Sequence, residues 1–285
     1  MIARVTSAFL RAFLVALLLV TPALLAPNAS ADSAQVVMLL ALLGSGFVFM
    51  EYASAYPSVI EFRYAPPFNR LRFGFLFMAV IGTAFIARGS EGDLARLFTA
   101  LGGISAQALD FPFSPVRLMT LAVPAEATDA FYQNVRLASG LAYVLSLIMV
   151  AVFLVLVRVL GWPASNGAFN VWLNLPLFDP TAGGDVVTRL VRDARINYSL
   201  GFLLPFLIPA IAKSAAGMID LAALQDPQTM IWTIAIWAFF PAMLITRGLA
   251  MSRIAEMIET KRRRAYARAD ADANSTTMAA PITSL

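Results

Sequence analysis

The chain has 285 residues, 60% of them hydrophobic and only 13% charged, with a formal net charge of +4. Soluble domains carry roughly twice that fraction of charge to cover their surface, whereas a surface facing lipid needs none. Cysteine and histidine are both absent, which excludes disulfides, thiolate nucleophiles, Cys/His zinc sites, cysteine-held iron–sulfur clusters, His-ligated haem and imidazole proton shuttles.

These limits set the expected fold class. It is all-α: a polytopic helical membrane protein of about six transmembrane helices, or five if the N-terminal segment is a cleaved signal peptide, with short interfacial amphipathic helices. Two readings suit residues 1–31. Arg4 and Arg11 before the apolar run Ala12 to Ala26, followed by Ala29-Ser30-Ala31, have the layout of a secretory signal peptide. The same run is also long enough to be an uncleaved first span, and either way the chain emerges on the far side at Asp32.

Further spans are expected near 35–50, 73–87, 137–160, 197–221 and 230–246. The first of these carries a Gly44-Ser45-Gly46 step, where another helix can approach closely. Between residues 88 and 136, Leu94, Leu97, Phe98, Leu101 and Ile104 recur at helical spacing behind Asp93, predicting an amphipathic helix on the membrane surface with Arg96 toward water. Trp162 and Trp172 read as interface anchors. Asp185, after Gly183-Gly184, reads as the cap of a short amphipathic helix with Arg189, Arg192 and Arg195 on one face. A basic helix is expected over 248–269, and the Ala/Ser/Thr-rich tail 270–285 reads as disordered.

Charge placement gives the expected orientation. Of the 21 lysines and arginines, 16 fall in the termini and loops on the side of the N-terminus, four fall on the opposite side, and Lys213 lies within a span. Basic residues are retained on the cytoplasmic side, so both termini are expected there. The vocabulary is rich in alanine and arginine with only two lysines, Lys213 and Lys261, which suggests a bacterial inner membrane.

Three groups of residues are candidates for function. The first is the 197–221 stretch. Pro205 and Pro209 lack the N–H that would bond Gly201 and Pro205 four residues back. Lys213 is an intramembrane charge costing about 2.5–3.5 kcal/mol to insert. Freed carbonyls beside a cation are the ingredients of a transport site. The plainer reading has Lys213 snorkel outward, aided by Asp220 seven residues on, on the same face. The second is the loop after the second span, where Glu51, Tyr52, Tyr56, Glu61, Arg63, Tyr64, Arg70 and Arg72 interleave. An aromatic belt plus retained positive charge accounts for such a loop; so does a docking surface for a protein partner or an anionic head group. The third is the cluster Lys261, Arg262, Arg263, Arg264 and Arg268, suited to anionic head groups of the inner leaflet. No nucleic-acid module adjoins it.

No cofactor, metal site or catalytic residue is expected. The first functional expectation is a non-catalytic scaffold, assembly factor or accessory subunit, with lipids and other membrane subunits as partners. The alternatives are a small transporter or channel built on the broken helix, and a lipid-modifying enzyme using carboxylates and arginine.

Overall fold

The computed structural model describes residues 2–25, 31–56, 58–89, 92–124, 126–163, 169–179, 181, 183–214 and 225–279. Among them there are helices and turns but no strand. The helices in order are α1 Ile2–Leu25, α2 Ala31–Ala53, α3 Phe68–Arg88, α4 Asp93–Ala108, α5 Pro115–Leu121, α6 Asp129–Arg158, α7 Val171–Asn174, α8 Val186–Ser214 and α9 Pro227–Ala279. Six of these, α1, α2, α3, α6, α8 and α9, contain windows long and apolar enough to cross a membrane. The protein is a polytopic α-helical membrane protein.

Local chemistry sets several helix starts. Thr128 accepts the Phe131 N–H at 3.2 Å and opens α6. Asp185 accepts the Thr188 N–H at 3.1 Å and opens α8. Asp226 accepts the Thr229 N–H at 2.8 Å, with Pro227 as the first residue of α9. Each cap occupies an N–H that has no partner inside its helix.

α3, α6 and α9 make the middle of the bundle, where Ala79, Val80, Ala138, Ala142, Ile234 and Trp237 are buried together. α1 and α2 pair with each other beside α3, and α8 lies along α9. Small residues set the closest approaches. A Cβ added to Gly140 of α6 would lie 2.5 Å from the backbone nitrogen of Ala106 in α4, and one added to Gly201 of α8 would lie 2.7 Å from the carbonyl oxygen of Pro241 in α9. Met38, Leu39, Leu42, Leu43 and Phe47 of α2 face away from the other helices. So broad an apolar surface is rare on a soluble monomer and ordinary against lipid tails.

Helices outrun the expected spans. The short helix expected after Asp185 and the span expected from Asn197 are one helix, α8. The last span and the basic helix are likewise one helix, α9, which runs through Asp270 to Ala279 where composition alone suggests no structure. Hydropathy marks a change of solvent, whereas a backbone hydrogen-bond ladder ends only at a breaker or a cap. α4 shows a different departure. Its small face, Ala95, Gly102 and Ala106, is buried against the bundle together with the partly covered Phe98, while Leu94, Leu97, Leu101 and Ile104 point outward.

Candidate functional site at the arginine-rich end

One end of the bundle gathers the N-terminal half of α1, the end of α2, the start of α3, the outgoing part of α9 and the described residues of 54–67 and 159–185. The loop expected to dock a partner is folded into this end, and most of its charge is used internally. Glu51 is 4% exposed. Its carboxylate accepts the N–H groups of Ser58, Val59 and Ile60 at 3.1–3.2 Å and the Ser58 hydroxyl. Three successive amides on one carboxylate form a nest that turns the chain straight after the helix. Arg63 closes the same corner. It donates to the carbonyls of Glu51, Ser54 at 3.0 Å and Ala55 at 3.3 Å, and to the Tyr64 hydroxyl. The Glu51 carbonyl is one that the last turn of α2 leaves without an intrahelical partner.

Glu61 makes the longest-range link. Arg247 of α9 donates to its two oxygens from Nε at 2.6 Å and from Nη2 at 2.8 Å. The side chains are only 10% and 27% exposed, so this is a largely desolvated bidentate pair. Arg72 lies over the Phe68 ring at 4.9 Å, with its Nε buried and without a hydrogen bond. It shares the field of Glu61 with Arg247. Glu61 pairs directly with Arg247, and Asp193 also acts on Arg247.

Around these charges sits an aromatic cluster. Phe62, Phe68, Phe153 and Trp162 have ring centroids 4.5–5.8 Å apart, the range in which tilted and stacked pairs attract. Trp162 was expected at the interface; it is buried here and donates to the Ala65 carbonyl at 3.1 Å, while Trp172 remains exposed. Phe62 has φ 55, an unusual conformation for a bulky residue. Its N–H is held by the Asn174 carbonyl at 2.7 Å, and the Asn174 side chain accepts the Tyr64 N–H at 3.2 Å. Of the loop residues singled out from sequence, Tyr56 and Tyr64 face solvent, as does Arg70. Tyr52 carries the Arg11 guanidinium 4.6 Å from its ring centroid.

No family model, curated protein or solved structure matches the chain. What the site can do follows from its side chains. The Glu51 carboxylate is held by three backbone amides and the Glu61 carboxylate by Arg247, arrangements that suit fixing the chain. Among the described residues, no group of three or more acids lies close enough to share a metal ion.

The proline-bearing helix is arranged otherwise. Gly201, Pro205 and Pro209 are buried. The carbonyl of Pro205, freed by Pro209, accepts the Trp237 indole N–H at 3.0 Å. Lys213 stands exposed in the last turn of α8, where a cation suits the helix dipole. Asp220 lies outside the described residues. The basic cluster lies on the exposed part of α9. Arg262 pairs with Asp185 at 2.5 Å and Arg263 pairs with Glu259, while Lys261, Arg264 and Arg268 are exposed. The hydrogen bonds from Arg262 and from the Thr188 N–H hold the Asp185 carboxyl below its usual range.

Sequence reasoning missed Arg247, Asn174, Arg11 and Asn69, whose amide donates to the Glu61 carbonyl at 2.8 Å, as site residues. Arg247 carried a signal, being an arginine between the apolar runs Met243–Ile245 and Leu249–Met251. Asn174 carried none, because its role depends on a contact across more than a hundred residues.

Proposed function

We propose that the protein is a non-catalytic scaffold or accessory subunit of a larger complex in a bacterial inner membrane, with both termini in the cytoplasm. The observation that carries this reading is α9. It is one helix of 53 residues, and from Glu259 to Asp272 every residue is exposed. That stretch is about 20 Å long at about 1.5 Å per residue, and beyond the Arg262–Asp185 pair it carries only exposed residues. A helix polar on all sides is typical of a segment that bridges to something else. Its base is braced by Glu61–Arg247, Arg158–Glu256 and Arg262–Asp185, so a partner on the arm would be held at a fixed place relative to the membrane. The inward positive charge supports the orientation.

The test is extraction in mild detergent followed by sizing and mass spectrometry of what co-elutes. The full chain should elute within a complex, and a chain ending at Ile258 should elute alone with its helicity intact. A full-length chain that elutes alone and monodisperse contradicts the reading.

One observation favours the transport alternative. A crevice of about 690 Å³ lies between α2, α8 and α9, lined by Ile208, Asp226, Gln228, Thr229, Trp232 and Trp237 among others, and the Gln228 amide nitrogen is buried without a partner. On that reading Lys213→Met and Gln228→Leu should abolish solute flux in proteoliposomes while insertion stays normal.

A further inference from the structure

A second crevice, of about 350 Å³, opens between α1, α2, the loop and α3 at the arginine-rich end. Its lining is ordered by depth in the same way on three helices. On α1, Arg11 lies at the outer end and Leu14 and Val15 lie about one turn deeper. On α2, which runs the other way, Tyr52 is outermost and Val48 is a turn deeper. On α3, Asn69 and Arg70 are outermost and Phe73 is a turn deeper. One turn is about 5.4 Å, so a polar rim with two cations sits directly over an apolar trough.

The rim is unbalanced in charge. The two acids of this region are engaged elsewhere, Glu51 by three backbone amides and the Ser58 hydroxyl, and Glu61 by Arg247. Arg11 is held by the Ser7 carbonyl at 2.8 Å and by the face of Tyr52, which fixes its position without neutralising it. Arg70 is exposed on the rim of the same crevice. Neither arginine meets a carboxylate among the described residues.

We propose that this crevice binds one anionic phospholipid, with its phosphate between Arg11 and Arg70 and the start of an acyl chain in the trough of Leu14, Val15, Val48 and Phe73. A soluble anion would have no use for the trough, and a zwitterionic lipid would bring its own cation to a rim that already has two. Basic recesses between membrane helices are suited to acidic head groups, and the volume lies at the low end for a small-molecule site. The site does not depend on the scaffold reading, since it needs no protein partner.

The experiment uses the full chain in mild detergent, offered equimolar phosphatidylglycerol and phosphatidylcholine with identical chains, and counts bound lipid by native mass spectrometry. The wild type should retain phosphatidylglycerol. Arg11→Gln with Arg70→Gln should lower that preference roughly thirtyfold, about fivefold for each arginine. Arg11→Lys with Arg70→Lys should keep most of it, which separates lost charge from lost fold. Arg262→Gln with Arg264→Gln, on the arm, should leave it unchanged. The proposal is overturned if the Arg11/Arg70 glutamine pair binds like wild type, or if the arm variant loses as much. It is equally overturned if millimolar inorganic phosphate displaces the lipid, or if the intact mass shows that the mature chain begins after Ala31 and so lacks Arg11.

Discussion

The two ends of the bundle are held together by different physics. At the arginine-rich end the links are ionic and aromatic, and they join residues far apart in sequence: Glu61 with Arg247, Trp162 with Ala65, Asn174 with Tyr64. At the opposite end the ion pairs are exposed and nearer neighbours, Asp110 with Arg136 at 3.3 Å and with Arg117 at 4.0 Å. There the helices are held by close approach of small residues, with Gly140 against Ala106 and Gly102 against the Leu137 carbonyl, a device that the arginine-rich end uses beside its ion pairs at Gly248 against Tyr198 and Ala194. Removing charge should therefore damage one end and adding bulk should damage the other.

The largest effect is expected from Glu61→Gln. It removes the carboxylate that pairs with the largely buried Arg247 guanidinium, with the buried Arg72 nearby. Breaking such a pair from one side costs about 3 kcal/mol, to be read as a loss of thermal stability in detergent. A stability within error of wild type would show that water reaches the pair and that the end is not locked by charge.

Gly140→Val comes next. The added Cβ would meet backbone atoms of Ala106, which cannot rotate away, so overpacking should cost about 2–3 kcal/mol. Hydrogen exchange should localise the loosening to α4 while the amides of α9 stay protected. Uniform loosening would contradict the separation of the two ends.

Asp110→Asn should matter least among the substitutions. Arg117 is exposed and Arg136 half-buried, and solvent-accessible pairs of that kind contribute about 1 kcal/mol or less. A larger loss would mean that the opposite end also depends on charge.

Acidification should affect the root of the arm through Asp185. Its folded-state value lies below the ordinary value of about 3.9. A carboxylate depressed in this way contributes stability above its unfolded value and loses it as pH falls through the folded one. Amides near Arg262 and at the start of α8 should exchange faster only once pH drops below about 4, and Asp185→Asn should remove that dependence.

Much of the fold was legible because membrane spans are written in composition. Six long apolar helices follow from runs that lipid alone would stabilise, and α6, α8 and α9 open on the caps Thr128, Asp185 and Asp226. The helix ends were less legible. α8 and α9 continue through changes in polarity because nothing in Val186–Arg195 or Arg247–Ala269 breaks a helix. The arginine-rich end was legible only as a composition. Its loop was dense in aromatics and charge, but whether Glu61 and Arg63 face a partner or the protein itself depends on Arg247 and on the turn of Ser54 and Ala55, and a linear pattern does not carry those contacts. The Pro205 carbonyl shows the same limit: sequence identified the freed acceptor, and the fold supplied Trp237 as its donor.

The central claim is a membrane base that carries a rigid arm into the cytoplasm, and the lack of native cysteine makes it directly testable. Single cysteines at Ala127 in the connection between α5 and α6 and at Ala267 on the arm can be probed in intact cells with a membrane-impermeant maleimide. The account predicts that Ala127→Cys is labelled from outside and that Ala267→Cys is labelled only after lysis. Labelling of Ala267→Cys in intact cells, with Ala127→Cys protected, would contradict it.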